Sequence, residues 1–365
     1  MSVRKTNGKW RVQVDVGRKA DGTRDRRTKT VATRAEARAL EAEWLTQKDA
    51  NDGRLRRCTV RQFVEGYWWP MKEESLEQTS LDSYSQDLRL RIMPMFADFE
   101  LSEVTRADVQ AMVNLCSGES TAKRARDLLR AIYNEAISAG ICSHNPAAGR
   151  FQMPRKAVHA HDSAEREVWL TTFAQHRPVL EAAKGKGEIE KIVVLGLCFG
   201  LRKEEILGLD VGDIDFAKRV LRIGTAYVQT SKGNIAKPTK TAESFRTVPM
   251  TKYSTARLAA LASGMPPESP FVLSREGKRL SPSTATKMMR RFVTSEGLPY
   301  VTIKTMRHSF ASACLDAGID IAKVSKWLGH TNIMTTYNRY VKARRSDLDD
   351  AAGSIDAALE KAGLE

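Results

Sequence analysis

The sequence has no Cys-x-x-Cys pair and no close Cys/His grouping of the kind that holds zinc. Its five cysteines, Cys58, Cys116, Cys142, Cys198 and Cys314, are scattered and odd in number. That pattern fits reduced thiols rather than a disulfide framework, with two of them placed as core residues of apolar helices. His159 and His161 have no cysteine or acidic pair beside them and are expected to be exposed, so no metal is expected. No apolar run approaches the roughly 20 residues of a spanning helix. Met1-Ser2-Val3-Arg4-Lys5 lacks the apolar core of a signal peptide. The expectation is a cytoplasmic protein with no membrane partner. A Walker A phosphate loop is missing too, which argues against ATP-driven chemistry. No internal repeat or low-complexity tract interrupts the chain.

What is abundant is positive charge. Across 365 residues, Lys and Arg outnumber Asp and Glu by 59 to 44, a formal net charge of +15. A surplus of that size points to a polyanionic partner, nucleic acid first. The hydrophobic share of 42% and charged share of 28% are ordinary for globular proteins, so the length suffices for two or three domains with real cores.

Chemistry concentrates between Lys304 and Tyr340. If Lys304-Thr305-Met306-Arg307-His308 is helical, Lys304, Arg307 and His308 share one face. Two cations and a histidine then stand together with no local carboxylate, an arrangement that calls for an anion such as phosphate. Trp327-Leu328-Gly329-His330-Thr331-Asn332 follows, then two candidate hydroxyl nucleophiles, Tyr337 and Tyr340. Upstream stands Gly200-Leu201-Arg202-Lys203-Glu204-Glu205.

In that order these segments resemble the catalytic boxes of the tyrosine recombinases, or phage-type integrases. The resemblance implies that Arg202 and Arg307 grip a scissile phosphate and that Lys240, rather than Lys237, protonates the leaving 5′ oxygen. It implies further that His330 hydrogen-bonds the phosphate and that Tyr340 attacks to give a 3′-phosphotyrosyl link. Glu205 and His308 would support the site from behind. The family usually has a histidine where this chain has Lys304. A lysine there can bind phosphate, and its use as a base is left open. Tyr340 fits the family frame better than its rival Tyr337. No cofactor is implied, because the phosphotyrosyl ester keeps the bond energy for resealing.

The expected fold class is α+β and multidomain. Residues 1–56 read as an arm-type DNA-binding domain. Val12, Val14 and Val16 alternate with polar residues, a returning strand runs from Arg24, and a Thr33-to-Glu36 capping box opens a helix bearing Leu40 and Trp44. Arg11, Arg24 and Arg26 are its candidate DNA contacts. Residues 58–150 read as a helical core-binding domain, with a first helix stopped at Pro70. Its last helix carries the candidate DNA contacts Lys123, Arg124, Arg126 and Arg130. Residues 151–162 read as a linker, 163–345 as a mainly helical catalytic domain with a small antiparallel sheet, and 346–365 as an amphipathic tail helix.

By resemblance the partners are double-stranded DNA attachment sites, sister protomers in a homotetramer at synapsis and a monomer or dimer otherwise. A host DNA-bending protein and a directionality factor are further expected partners, in a bacterial cytoplasm at the nucleoid. Two other functions stay open: type IB topoisomerase-like relaxation, and a DNA-binding regulator without catalysis.

Overall fold

The structure is a computed structural model that describes residues 3–6, 9–18, 24–41, 44, 58–154, 167–239, 245–337 and 360. The chain divides into two compact units, Met1–His159 and Ala160–Glu365. The fold is α+β with small antiparallel sheets.

The first unit opens with three antiparallel strands, β1 (Val3–Thr6), β2 (Lys9–Arg18) and β3 (Arg24–Val31), in the order β1-β2-β3. The alternation in β2 sends Val12 and Val14 to one face, where Ala37 and Trp44 cover them. Register places Arg4 beside Arg11 and Arg11 beside Thr30, on the opposite face. Thr33 and Glu36 exchange the expected capping bonds at 3.2 and 3.3 Å. The first strand, β1, was not anticipated: Val3-Arg4-Lys5-Thr6 is too short to show a period.

A separate cluster in this unit is built from helices, among them Arg106–Asn114 and Glu119–Ser138. Pro70 does not stop the first helix as expected. Val60–Phe63 passes through a π-helical turn, Val64–Trp68, and continues as Trp69–Ser75. A second π turn, Leu88–Ile92, precedes Pro94 in the same way. Proline lacks an N–H and its ring presses on the carbonyl four residues back. A wide turn one residue earlier loosens that spacing, so the chain passes the proline without breaking. Tyr67 then lies 47% exposed and leaves the apolar stripe of Val60, Phe63, Val64 and Trp68. Phe151 and Met153 pack against this cluster and the Gln152 N–H donates to Gln110 at 3.0 Å, so the start of the expected linker is part of the helical unit. Residues 155–162, with His159 and His161, lie outside the described residues, as does the tail except Glu360.

The second unit is organised around Glu188–Phe199, a helix buried on nearly every side. The Ile303–Asp316 helix packs across it. Gly196 sets the approach, because a Cβ there would meet Met306 Sδ at 3.0 Å. Strands β4 (Ile214–Asp215), β5 (Val220–Ile223) and β8 (Arg246–Pro249) form one sheet in the order β4-β5-β8, while β6 (Thr225–Thr230) and β7 (Gly233–Pro238) form a hairpin. The expected small antiparallel sheet is, among the described residues, a three-stranded sheet with a separate hairpin. The strand β7 carries no sequence signal, because Gly233-Asn234-Ile235-Ala236-Lys237-Pro238 is exposed along most of its length and shows no alternation.

Candidate active site

The site grows from the ends of four elements. Glu188–Phe199 ends at Gly200, whose φ of +66° is left-handed and costs glycine little. Two residues later Arg202 stands at the N-cap of the Lys203–Gly208 helix, and Glu205 reaches back to the Arg202 N–H at 2.9 Å. Thr302 and Thr305 cap the Ile303–Asp316 helix reciprocally, at 3.1 and 2.8 Å, which fixes Arg307 and His308 in its second turn. The Ile321–Leu328 helix ends at Gly329, again left-handed at φ +67°. There the His330 N–H closes back on the Ser325 carbonyl at 3.1 Å. Leu-Gly-His is therefore a helix stop that delivers an imidazole at a fixed place.

Three consecutive carbonyls leave that stop, and each is taken by a different arginine. Arg246 Nε donates to the Trp327 carbonyl at 2.7 Å. Arg307 Nη2 donates to Leu328 at 2.7 Å, and Arg202 Nη2 to Gly329 at 3.2 Å. The negative end of a helix favours such cations. Arg307 Nη1 also donates to the Gly200 carbonyl at 2.9 Å, tying the two helix ends together.

The same three arginines surround Glu205. Arg202 meets it at 2.7 Å, Arg246 holds both its oxygens at 3.0 Å, and Arg307 stands at 3.9 Å. No carboxylate is supplied from the Lys304–His308 segment itself; Glu205 comes from a remote part of the chain. With its side chain 3% exposed it is no surface ion pair. Burial pushes its carboxyl pKa up, but the hydrogen bonds and charge of Arg246 and the charges of Arg202 and Arg307 outweigh that and hold it at about 2. Three guanidinium groups thus converge on one buried carboxylate.

His330 accepts from Arg307 at Nε2, 2.9 Å away, and meets Thr336 Oγ1 through Nδ1 at 2.8 Å. Both ring nitrogens are thus engaged within the protein. His308 is buried and stacks on Trp169 at 4.9 Å. Lys304 is exposed and lines a cleft of about 600 Å³ with Arg202, Arg290, Arg307 and His308. Arg202, Glu205, Lys304, Arg307, His308 and His330 therefore belong to one neighbourhood. Lys240 and Tyr340 lie outside the described residues; Tyr337 is 46% exposed.

The expected DNA contacts divide. Arg11 and Arg26 are exposed on the strand face away from Val12, whereas the side chain of Arg24 lies outside the described residues. Lys123 and Arg130 are exposed. Arg124 pairs with buried Asp87 at 3.0 Å while remaining half exposed. Arg126 is only 12% exposed and holds the Gly149 carbonyl at 3.2 Å and Asp127 at 2.8 Å, so its guanidinium is spent inside the fold.

Sequence reasoning missed Arg246 and Thr336. A signal for Arg246 existed: it is in phase with Val248 and Met250, so alternation aims it inward. Thr336 offered no signal, since its burial comes from the fold.

Among the described residues no three His, Cys, Asp or Glu stand close enough to hold a metal, and no helix is long and apolar enough to cross a membrane.

Comparison with known proteins identifies a DNA strand-cleaving and rejoining enzyme. Two family models match: the phage integrase family over residues 171–346, and the phage integrase N-terminal SAM-like domain over 59–115. The chain belongs to the tyrosine recombinase family. A tyrosine recombinase XerC-like protein of Caldanaerobacter subterraneus subsp. tengcongensis is 26% identical over 92% of this chain and 93% of its own. Tyrosine recombinase XerC of Pseudomonas aeruginosa is 28% identical over 72% of this chain and 84% of its own. In fold, the chain is similar to a Tn1549 transposon integrase bound to circular intermediate DNA, with a TM-score of 0.67 at 20% identity, over 82% of this chain and 99% of that one. It is also similar to a lambda integrase dimer on a core site, with a TM-score of 0.57 at 18% identity, over 94% and 96%.

Proposed function

We propose that the protein is a site-specific recombinase of a phage or other mobile element that cuts and rejoins DNA through a 3′-phosphotyrosyl intermediate. The observation that carries this reading is that Arg202 and Arg307, held by carbonyls at helix ends, line one cleft with Lys304 and Arg290. Guanidinium groups preorganised by carbonyls need no rearrangement when charge gathers on a phosphorane.

In this mechanism the Tyr340 phenol gives its proton to solvent as its oxygen attacks the scissile phosphorus, and the 5′ oxygen leaves, taking its proton from Lys240. Arg202, Arg307 and Lys304 hold the non-bridging oxygens. A 5′ hydroxyl from the partner strand then attacks the phosphotyrosyl ester and releases Tyr340. One ester replaces another at each step, so neither ATP nor a cofactor is consumed. His330 and Glu205 keep Arg307 and Arg202 in place.

The integrase role is supported by the N-terminal sheet, whose exposed face carries Arg4, Arg11 and Arg26. The XerC of Pseudomonas aeruginosa leaves about a quarter of this chain unmatched. Relatives solved on a core site and as a tetramer on a Holliday junction support DNA attachment sites as the substrate and a tetramer at synapsis. The action is proposed to take place in the bacterial cytoplasm, with a bending protein and a directionality factor as accessory partners.

The test is a plasmid pair carrying the element's two candidate attachment sites. Recombinant product made only from matched sites supports the reading. Relaxation of any supercoiled plasmid without exchange would assign topoisomerase activity instead.

A further inference from the structure

We infer that Arg246 is a positioning residue for the strand-cleavage reaction, holding Glu205 so that Arg202 and Arg307 keep their aim at phosphate. This inference rests on the active-site reading above and adds a residue to it. Arg246 is, with Arg307, among the more enclosed of the three arginines around Glu205: its side chain is 7% exposed, against 35% for Arg202. It does not line the basic cleft, so it is placed to act through its neighbours.

Three of its bonds join the parts of the site. Two go to the two oxygens of Glu205, a bidentate fork that a carboxylate fits closely. The third goes to the Trp327 carbonyl, the first of the three carbonyls leading to His330. Trp327 in turn donates its indole N–H to Phe199, next to Gly200, whose carbonyl holds Arg307. Arg246 also begins β8, six residues after Lys240 in the chain.

Charge explains why an arginine is needed there. Glu205 caps the Lys203–Gly208 helix and orients Arg202, but an anion between two phosphate-binding arginines also competes with phosphate. Arg246 occupies both oxygens and neutralises that competition. Without it, Glu205 draws on Arg202 and Arg307 alone. Arg307, now 3.9 Å away, is pulled from the Gly200 and Leu328 carbonyls that aim it.

The experiment is single-turnover cleavage of a nicked suicide substrate by the full chain, with DNA affinity measured in parallel. Arg246→Met should bind DNA within about 3-fold of wild type, since most contacts lie elsewhere. It should cleave about 100-fold more slowly, the effect of misplaced catalytic groups. Combining it with Glu205→Gln should make the enzyme faster than Arg246→Met alone, because the uncompensated charge is gone. A merely structural residue would instead leave the double variant slower than Arg246→Met, because a further contact of the fold is lost. Should Arg246→Met fail to fold, Arg246→Lys keeps the charge but cannot span both oxygens and Trp327; it should cleave about 10-fold more slowly at unchanged affinity. Wild-type cleavage by a folded Arg246→Met or Arg246→Lys protein, or a double variant slower than Arg246→Met, would overturn the inference while leaving the recombinase reading intact. Wild-type protein that never cleaves would refute the assigned chemistry and this inference with it.

Discussion

Arg307 donates to Nε2 of His330 at 2.9 Å, and that contact dictates where the imidazole carries its proton. A guanidinium has no acceptor, so Nε2 must accept and the proton must sit on Nδ1, where it meets Thr336 Oγ1 at 2.8 Å. Thr336, fully buried, thus selects the tautomer that lets His330 hold Arg307. Thr336→Val keeps the shape and removes the acceptor. Cleavage should fall about 10-fold with little change in DNA affinity, by loosening of a charge-bearing group. Thr336→Ser should retain most of the rate, measured by adduct formation over time.

Glu205 gives a pH prediction whose sign can be worked out. Its carboxyl is held at about 2, below its ordinary value in an unfolded chain. The stabilisation is therefore complete above the unfolded value of about 4.3 and is lost as pH falls toward 2. Glu205→Gln should melt below wild type at neutral pH, and the gap should close between about pH 4 and 2. Thermal unfolding of both proteins across that range checks it. A gap that widens on acidification would contradict the ion cluster.

Gly200 is required twice, by backbone and by space. At φ +66°, a Cβ would lie 2.5 Å from Phe310 and 2.9 Å from Leu328. Left-handed strain of about 1 kcal/mol and overpacking of about 1–3 kcal/mol should both appear in Gly200→Ala. Because the Gly200 carbonyl holds Arg307, cleavage should drop along with melting temperature.

The helix Glu119–Ser138 separates two kinds of arginine. Removing exposed Lys123 or Arg130 should lower the slope of log affinity against log salt by about 1 each, as lost phosphate contacts do. Arg126→Ala should leave that slope alone and lower the melting temperature, since its guanidinium serves Gly149 and Asp127. Titration at several salt concentrations distinguishes the two.

Legibility in the sequence followed how local each constraint was. The capping pair of Thr33 with Glu36 announced a helix start because both residues lie in one turn. The helix stop at Gly329 is as local, yet Leu-Gly-His was read only as a family resemblance. Pro70 misled because the remedy, a π turn, is written in no residue type. Glu205 was expected behind the site by resemblance, but its approach to Arg307 was not legible, because the two are brought together only by the packing of two helices. Arg246 went unnoticed since a charged residue in an exposed-looking strand reads as surface, although its phase with Val248 pointed inward.

The central claim is that Tyr340 becomes bonded to a DNA phosphorus within reach of Arg202 and Arg307. A nicked suicide substrate incubated with the full chain, followed by peptide mapping of the trapped adduct, measures this directly. The account predicts a covalent adduct on Tyr340 that disappears in Tyr340→Phe and persists in Tyr337→Phe. An adduct mapped to Tyr337, or one that still forms in Tyr340→Phe, would contradict it.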